Sequence, residues 1–132
     1  MAVLIGQKNQ TVMDHLATEE YLLRYHNLEE DILYLWFGSK AFIYGRNQNP
    51  FIEIHPKHLK DDTIQKLRRN SGGGTIYEDQ GTLNFSIITK NYKQKINDYQ
   101  YFLNPLIKYL NQLGIKAVFK PKTHVFVGDH KI

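Results

Sequence analysis

Three consecutive glycines, Gly72-Gly73-Gly74, stand between two segments that both read as β-strands, and no helix or strand runs through them. Glycine loses the most backbone freedom on folding and offers no side chain for packing, so this stretch must be a loop joining two separate strands. Such a loop lets backbone N–H groups approach a bulky anion closely. Arg68 and Arg69, just upstream, are suited to neutralise a phosphate or carboxylate there. The same residues are equally compatible with a plain tight turn carrying two solvated arginines. The loop is not a Walker A motif, because no Gly-Lys-Ser/Thr follows it. Nor is it a dinucleotide fingerprint, since GxGxxG is absent and no helix begins there.

Around the glycines the hydrophobic pattern alternates short strands with a few helices. Met13, Leu16, Ala17 and Leu23 predict an amphipathic helix over residues 11–25, with Glu20 on the same face and in need of an arginine or backbone donor if buried. Residues 31–37 (DILYLWF) and 41–44 (AFIY) read as a hairpin around Gly38-Ser39. Residues 46–50 read as a loop, and Pro56 opens a short helix. Strands are predicted at 64–69 and 82–89. A second amphipathic helix is predicted over 98–113, ended by Gly114, with Pro105 implying a kink or a late start. Strands at 115–120 and 124–127 follow, with a turn at Gly128-Asp129. This mixture is an α/β (α+β) arrangement, a mixed sheet packed with a few helices. No repeat or linker divides residues 1–132, so they read as one domain. The final Lys131-Ile132 follows a turn with no closing element, which suggests that the domain is incomplete at its C-terminus.

Composition narrows the chemistry. The 132 residues contain no cysteine, which excludes disulfides, thiolate metal sites and a cysteine nucleophile within them. No apolar run approaches the ~20 residues that cross a bilayer, and the N-terminus lacks the features of a secretory signal. A cytoplasmic setting fits both. The net charge of +4 is spread along the chain; it suits anionic partners and an ordinary surface alike. No basic stripe or recognition motif marks nucleic-acid binding. His15, His26, His55 and His58 have no metal-ligand spacing, and His124 and His130 flank a strand, so no metal ligands are assigned.

The string Arg68-Arg69-Asn70-Ser71-Gly72-Gly73-Gly74, followed by Tyr77, Asp79, Gly81 and Leu83-Asn84-Phe85-Ser86, resembles the signature of lipoate–protein ligases. Glu19-Glu20-Tyr21-Leu22 resembles the first helix of that family, and Gly45-Arg46-Asn47-Gln48-Asn49 resembles its GRxQN loop. Leu110 to Ile115 is similar to its helix-to-strand junction, and Lys131-Ile132 to the start of its K-I-S-G motif. Departures are Glu78 for the usual histidine, Thr82 for an asparagine, and Thr123-His124 where an Asn-Asp pair is usual. The resemblance implies the class II biotin/lipoyl-synthetase-like catalytic fold and the N-terminal portion of a single lipoate-ligase-like domain.

It also implies a reaction. Lipoic acid would be activated by ATP and Mg2+ as lipoyl-adenylate, then passed to a lysine of a lipoyl-acceptor domain. In that reading Gly72, Gly73 and Gly74 let backbone amides approach the adenylate, and Arg69 contacts the carboxylate or phosphate. Lys131 is the catalytic electrostatic stabiliser, and Trp36 and Ile76 line the acyl side. Arg46, Ser71, Thr75 and Asn84 complete the substrate-binding set. Surface charge for Arg68 and Lys131, and core packing for Trp36 and Ile76, are the plain alternatives. A lipoyl or octanoyl acyltransferase of the same superfamily, or a non-catalytic module binding lipoyl groups or acceptor domains, are the competing functions. A biotin–protein ligase is disfavoured, because the arginine-and-glycine-rich loop of that family is not present.

Overall fold

The computed structural model describes residues 1–7, 9–27, 29–90, 93, 95–121 and 123–132, which form two compact units, 1–90 and 91–132. In the first unit, β1 (Ala2–Ile5), β2 (Ile32–Phe37) and β6 (Leu83–Ile88) form one mixed sheet with β2 in the centre. β3 (Ala41–Tyr44), flanked by β4 (Gln65–Arg68) and β5 (Ile76–Glu78), forms a second. Helix α1 (Val12–Arg24) packs on the first sheet. Short helices α2 (Pro50–Glu53) and α3 (Pro56–Leu59) connect β3 to β4. The second unit holds α4 (Tyr99–Gln112) and the antiparallel sheet β7 (Ala117–Lys120), β8 (His124–Val127) and β9 (His130–Lys131). No helix among the described residues is long and apolar enough to cross a membrane.

Alternation along β2 explains the core of the first unit. Ile32, Tyr34 and Trp36 point to one face and are buried with Val12, Leu22, Ala41, Ile43 and Ile88. Their odd-numbered neighbours share the other face in register with those of β1 and β6: Val3 and Ile5, Leu33, Leu35 and Phe37, Leu83, Phe85 and Ile87. This second face is apolar throughout, yet Ile5 is 77% exposed, Phe37 56% and Leu83 51%.

Thr11 starts α1 with a capping box, its hydroxyl accepting from the Asp14 N–H while the Asp14 carboxylate accepts from the Thr11 N–H at 2.8 Å. The buried stripe of this helix differs from the sequence expectation. Met13 and Leu23 are mostly exposed, and the face turned to the sheet carries Val12, His15, Glu19 and Leu22. The reason is chemical. Tyr34 and Trp36 present a hydroxyl and an indole N–H to the helix, so polar partners, His15 and Glu19, occupy positions that pattern reading assigns to solvent. Glu20 pairs with Arg24 at 2.7 Å on the more open side.

The expected 31–44 hairpin does not form. Both edges of β2 are taken, by β1 in parallel and β6 antiparallel, so β3 starts a second sheet. Gly38 makes the crossing possible, since a Cβ there would overlap the Glu78 carboxylate and lie 2.8 Å from Val12. Strand β1 at the N-terminus, β5, α2 and β9, which follows the Gly128-Asp129 turn and pairs with β8, are additions to the sequence-derived elements. In the second unit, α4 starts at Tyr99, capped by Asp98, and continues through Pro105 without a late start. Its predicted face is only partly covered: Phe102, Leu103, Leu106 and Leu110 are half-buried, while Tyr99 and Leu113 are exposed.

Candidate functional site

β3 and β4 are parallel neighbours, so the chain leaves both at the same edge of their sheet. The loop after β3 is residues 45–49 and the loop after β4 contains the three glycines. The two touch there. The Arg46 N–H donates to the Ser71 carbonyl at 2.9 Å, and Gly45 is packed so closely that a Cβ would overlap the Gly73 carbonyl oxygen. Gly73 itself has φ +93, a left-handed conformation that favours glycine.

Arg69 organises the glycine loop from within. Its Nη2 donates to Gly72 O and Gly74 O, each at 2.7 Å, its Nε to Gly72 O at 3.2 Å, and its Nη1 to Ile43 O at 3.0 Å. Carbonyl and N–H of a trans peptide point in opposite directions. With the Gly72 and Gly74 carbonyls drawn to Arg69, the N–H groups of Gly73 and Thr75 are turned away from it. Burial pulls the Arg69 pKa below its ordinary value, with the Glu19 carboxylate opposing that shift. Arg68 does the corresponding work on the other loop. Its Nη1 donates to Arg46 O and Gln48 O at 2.8 Å and to Gly45 O at 3.2 Å, and its guanidinium lies over the Tyr44 ring.

Beside the glycine loop, between α1 and β6, lies a cavity of about 240 Å³. Leu16, Leu23, Ile87 and Ile88 supply apolar wall, while Asn70, Ser71, Glu19, Glu20 and Ser86 supply polar groups. A larger hollow of about 520 Å³ is lined by Ser39, Lys40, Thr63 and residues 79–81, and by none of Gly72, Gly73 or Gly74. Glu19 is the hub behind the smaller cavity, accepting from the Trp36 indole N–H at 3.0 Å and from the Ser86 hydroxyl. Glu20 reaches the loop through Asn70, a hydrogen bond that pulls its carboxyl below the ordinary range, aided by Arg24.

Of the residues singled out in the sequence, Arg69, Ser71, Gly72, Gly73, Gly74 and Thr75 gather at this edge, and Arg46 joins them through its backbone. The Arg46 side chain is exposed. Ile76 begins β5 opposite Ile43 and is 43% exposed. Trp36 is 3% exposed, stacked on His15 at 4.7 Å, and belongs to the core, so it meets the cavity through Glu19. Asn84 is turned inward, donating to the Glu78 carboxylate at 2.5 Å. Glu78 is fully buried, and burial pushes its carboxyl pKa up. Lys131 stands in the second unit, exposed on β9 opposite Phe126 of β8. Sequence reading placed Glu19 and Gln48 in the family-like strings but gave neither a role in the site. The position of Glu19, four residues after His15 and seven after Val12, is the helical spacing that would have marked it.

A family model, the lipoyl protein ligase A/B catalytic domain, matches residues 11–132. Lipoate-protein ligase LplJ of Bacillus subtilis is 36% identical over 127 residues, covering 94% of this chain and 38% of that protein. Lipoate–protein ligase 1 of Plasmodium falciparum is 30% identical over 142 residues, covering 98% of this chain and 34% of that one. The crystal structure of P. falciparum LipL1 in complex with lipoate matches with a TM-score of 0.83 at 31% identity, over 98% of this chain and 41% of that chain. A bi-partite lipoate protein ligase from Thermoplasma acidophilum matches with a TM-score of 0.86 at 25% identity, over 99% of this chain and 53% of that one. The chain thus spans well under half the length of the curated relatives it matches. The glycine loop clamped by Arg69 and the helix-backed cavity beside it lie wholly within the matched residues, and the chain belongs to the lipoyl protein ligase A/B catalytic-domain family.

Proposed function

We propose that this chain is the N-terminal portion of one lipoate–protein ligase catalytic domain acting in the cytoplasm. In this reading it activates lipoate with ATP and passes the lipoyl group to a lysine of an acceptor domain, such as a 2-oxoacid dehydrogenase subunit or the glycine cleavage H protein. The observation that carries the reading is the Arg69-clamped glycine loop beside a cavity with apolar walls. A free carboxylate is a poor electrophile, so amide formation needs activation, and the mixed anhydride with AMP supplies it. Two negatively charged reactants must be held together while charge develops on phosphate and carbonyl oxygens.

The apolar walls formed by Leu16, Leu23, Ile87 and Ile88 suit an acyl tail, and the loop at the mouth suits its carboxylate. Backbone N–H groups of Gly73 and Thr75, turned away from Arg69, are the donors for the carboxyl or phosphoryl oxygens. Ser71 lines the mouth. Arg69 acts mainly by setting the loop, since its Nε and Nη2 are committed to loop carbonyls. The family resemblance makes Lys131, in the second unit, the positive group of the reaction. Magnesium accompanies ATP in this reading, with no residue of this chain assigned to hold it; among the described residues no group of three or more His, Cys, Asp or Glu side chains could hold a metal ion. The lipoate-bound P. falciparum relative supports the substrate class, and the archaeal ligase studied with its E2 lipoyl domain supports the acceptor class.

Lipoate-dependent ATP–pyrophosphate exchange tests the proposal, on this chain and on one extended past Ile132. Exchange that disappears in Lys131→Ala is the expected result. Lipoate binding without exchange in the extended chain would favour an acyltransferase or a non-catalytic lipoyl-binding module.

A further inference from the structure

The two loops at the edge of the second sheet are joined by one side chain. Gln48 Oε1 accepts from the Gly45 N–H at 2.8 Å and from the Thr75 hydroxyl at 2.9 Å. Gly45 is the first residue of one loop, and Thr75 is the last residue of the other before β5. A single amide oxygen therefore ties the start of the post-β3 loop to the end of the glycine loop. The Arg68 guanidinium holds the Gln48 carbonyl at 2.8 Å, which anchors the backbone that carries this side chain.

The same bonds fix which way the carboxamide faces. A backbone N–H can only donate, so the group facing Gly45 must be the oxygen. The amide nitrogen is then forced to the other side, and it has no hydrogen-bond acceptor among the described residues. An amide nitrogen held in one orientation with both protons uncommitted is a directed donor pair.

We propose that Gln48 is a positioning residue that latches the glycine loop, and that its amide N–H2 donates to an anionic oxygen of the bound acyl group. The second half rests on the functional reading above; the latch stands without it. Gln48→Leu removes both the latch and the donor. Gln48→Glu keeps an acceptor for Gly45 and Thr75 but replaces the donor with a like charge. Thr75→Val removes only the Gln48–Thr75 bond between the loops.

The test combines backbone amide exchange by NMR on the ligand-free chain with calorimetric titration of lipoate. Gln48→Leu should speed exchange at the Gly45 amide at least ~10-fold, the factor that ~1.4 kcal/mol of lost protection gives. Gln48→Glu should leave that amide within about twofold of wild type while lipoate affinity falls ~10-fold. Thr75→Val should speed exchange at the Arg46 amide, which donates to the Ser71 carbonyl across the two loops, and leave Gly45 protected, which tests the latch even if Gln48→Leu does not fold. Wild-type exchange at Gly45 in Gln48→Leu, or at Arg46 in Thr75→Val, overturns the latch. Wild-type lipoate affinity in Gln48→Glu overturns the donor. A wild-type chain that binds no lipoate overturns the functional reading and the donor with it, and the exchange rates alone then decide the latch.

Discussion

Arg68 and Arg69 are consecutive at the end of β4, yet they clamp different loops. Arg68 holds the carbonyls of Gly45, Arg46 and Gln48, while Arg69 holds those of Ile43, Gly72 and Gly74. Successive side chains of a strand point to opposite faces, so one pair of adjacent residues can secure two loops at one sheet edge. In both cases the guanidinium serves as a rigid, multi-pronged donor to backbone oxygens, which a lysine cannot imitate.

Arg69→Lys should therefore behave almost as badly as Arg69→Ala. Hydrogen bonds to a charged donor are worth roughly 1.5–3 kcal/mol each, and a point charge on a flexible stem cannot span the Ile43, Gly72 and Gly74 carbonyls together. Urea denaturation should give a loss of about 2–4 kcal/mol for either variant. A near-wild-type Arg69→Lys would show that charge, not fork geometry, holds the loop.

Gly45→Ala should disturb the site without touching any ligand. The added methyl would overlap the Gly73 carbonyl oxygen, which belongs to backbone and cannot swing aside. Overpacking of this kind costs about 1–3 kcal/mol. The same substitution at Gly72 or Gly74, where a Cβ meets nothing within 4 Å, should cost clearly less. Equal costs at Gly45 and Gly72 would contradict the packing argument.

Glu19→Ala should leave the Trp36 indole N–H in the core without an acceptor, at a cost of roughly 1–3 kcal/mol, whereas Glu19→Gln should recover most of it. Trp36 is the one tryptophan of the sequence, so its fluorescence reports on this site directly. A changed emission in Glu19→Ala and a nearly unchanged one in Glu19→Gln is the expected pattern. Identical spectra for both would mean that the Glu19 contact does not define the indole environment.

Glu78 makes stability depend on pH in a definite direction. Burial raises its carboxyl pKa above the ordinary 4.5, against a smaller lowering by Asn84. The folded state therefore binds its proton more tightly than the unfolded state does. The stability this contributes is full below pH 4.5 and is lost as pH rises through the higher folded value. Glu78→Gln, which mimics the protonated form, should raise Tm at pH 8 and have little effect at pH 4. His15 acts the other way, since burial lowers its pKa from 6.5 and acid pH works against its neutral form. A Tm difference between Glu78→Gln and wild type that does not change with pH would refute the assignment.

The apolar outer face of the first sheet should bind a hydrophobic dye such as ANS, because a contiguous patch of this kind is rare on a protein surface. Phe85→Lys and Leu83→Lys should each reduce the fluorescence while changing stability by less than about 1 kcal/mol. Undiminished dye binding in both would place the responsible surface elsewhere.

Much of this molecule was legible in its residues. The glycine loop, β4 before it and β6 beyond it, α1, α4 and the strands β7 and β8 all follow from local chemistry: glycine without packing, Thr11 and Asp98 as caps, and apolar alternation. The family likeness also rests on a contiguous string, from Arg68 to Ser86. Pairing was not legible. A period of two shows that residues 32–37 are extended but not which edges are already filled, so the hairpin expected with 41–44 gave way to two separate sheets. The faces of α1 were misread for a related reason. Hydrophobicity ranks His15 and Glu19 as surface residues, and only the Tyr34 hydroxyl and Trp36 indole opposite them make burial favourable.

The sequence by itself therefore determined most of the elements, the place of the glycine loop and the family to which the chain belongs. Only the tertiary structure decided what Arg68, Arg69 and Gln48 do. Their partners are backbone groups and one threonine hydroxyl, up to 27 positions away, brought within reach because β3 and β4 run parallel and end at one edge. A hydrogen bond depends on distance and direction, and neither is written in the order of residues along a chain.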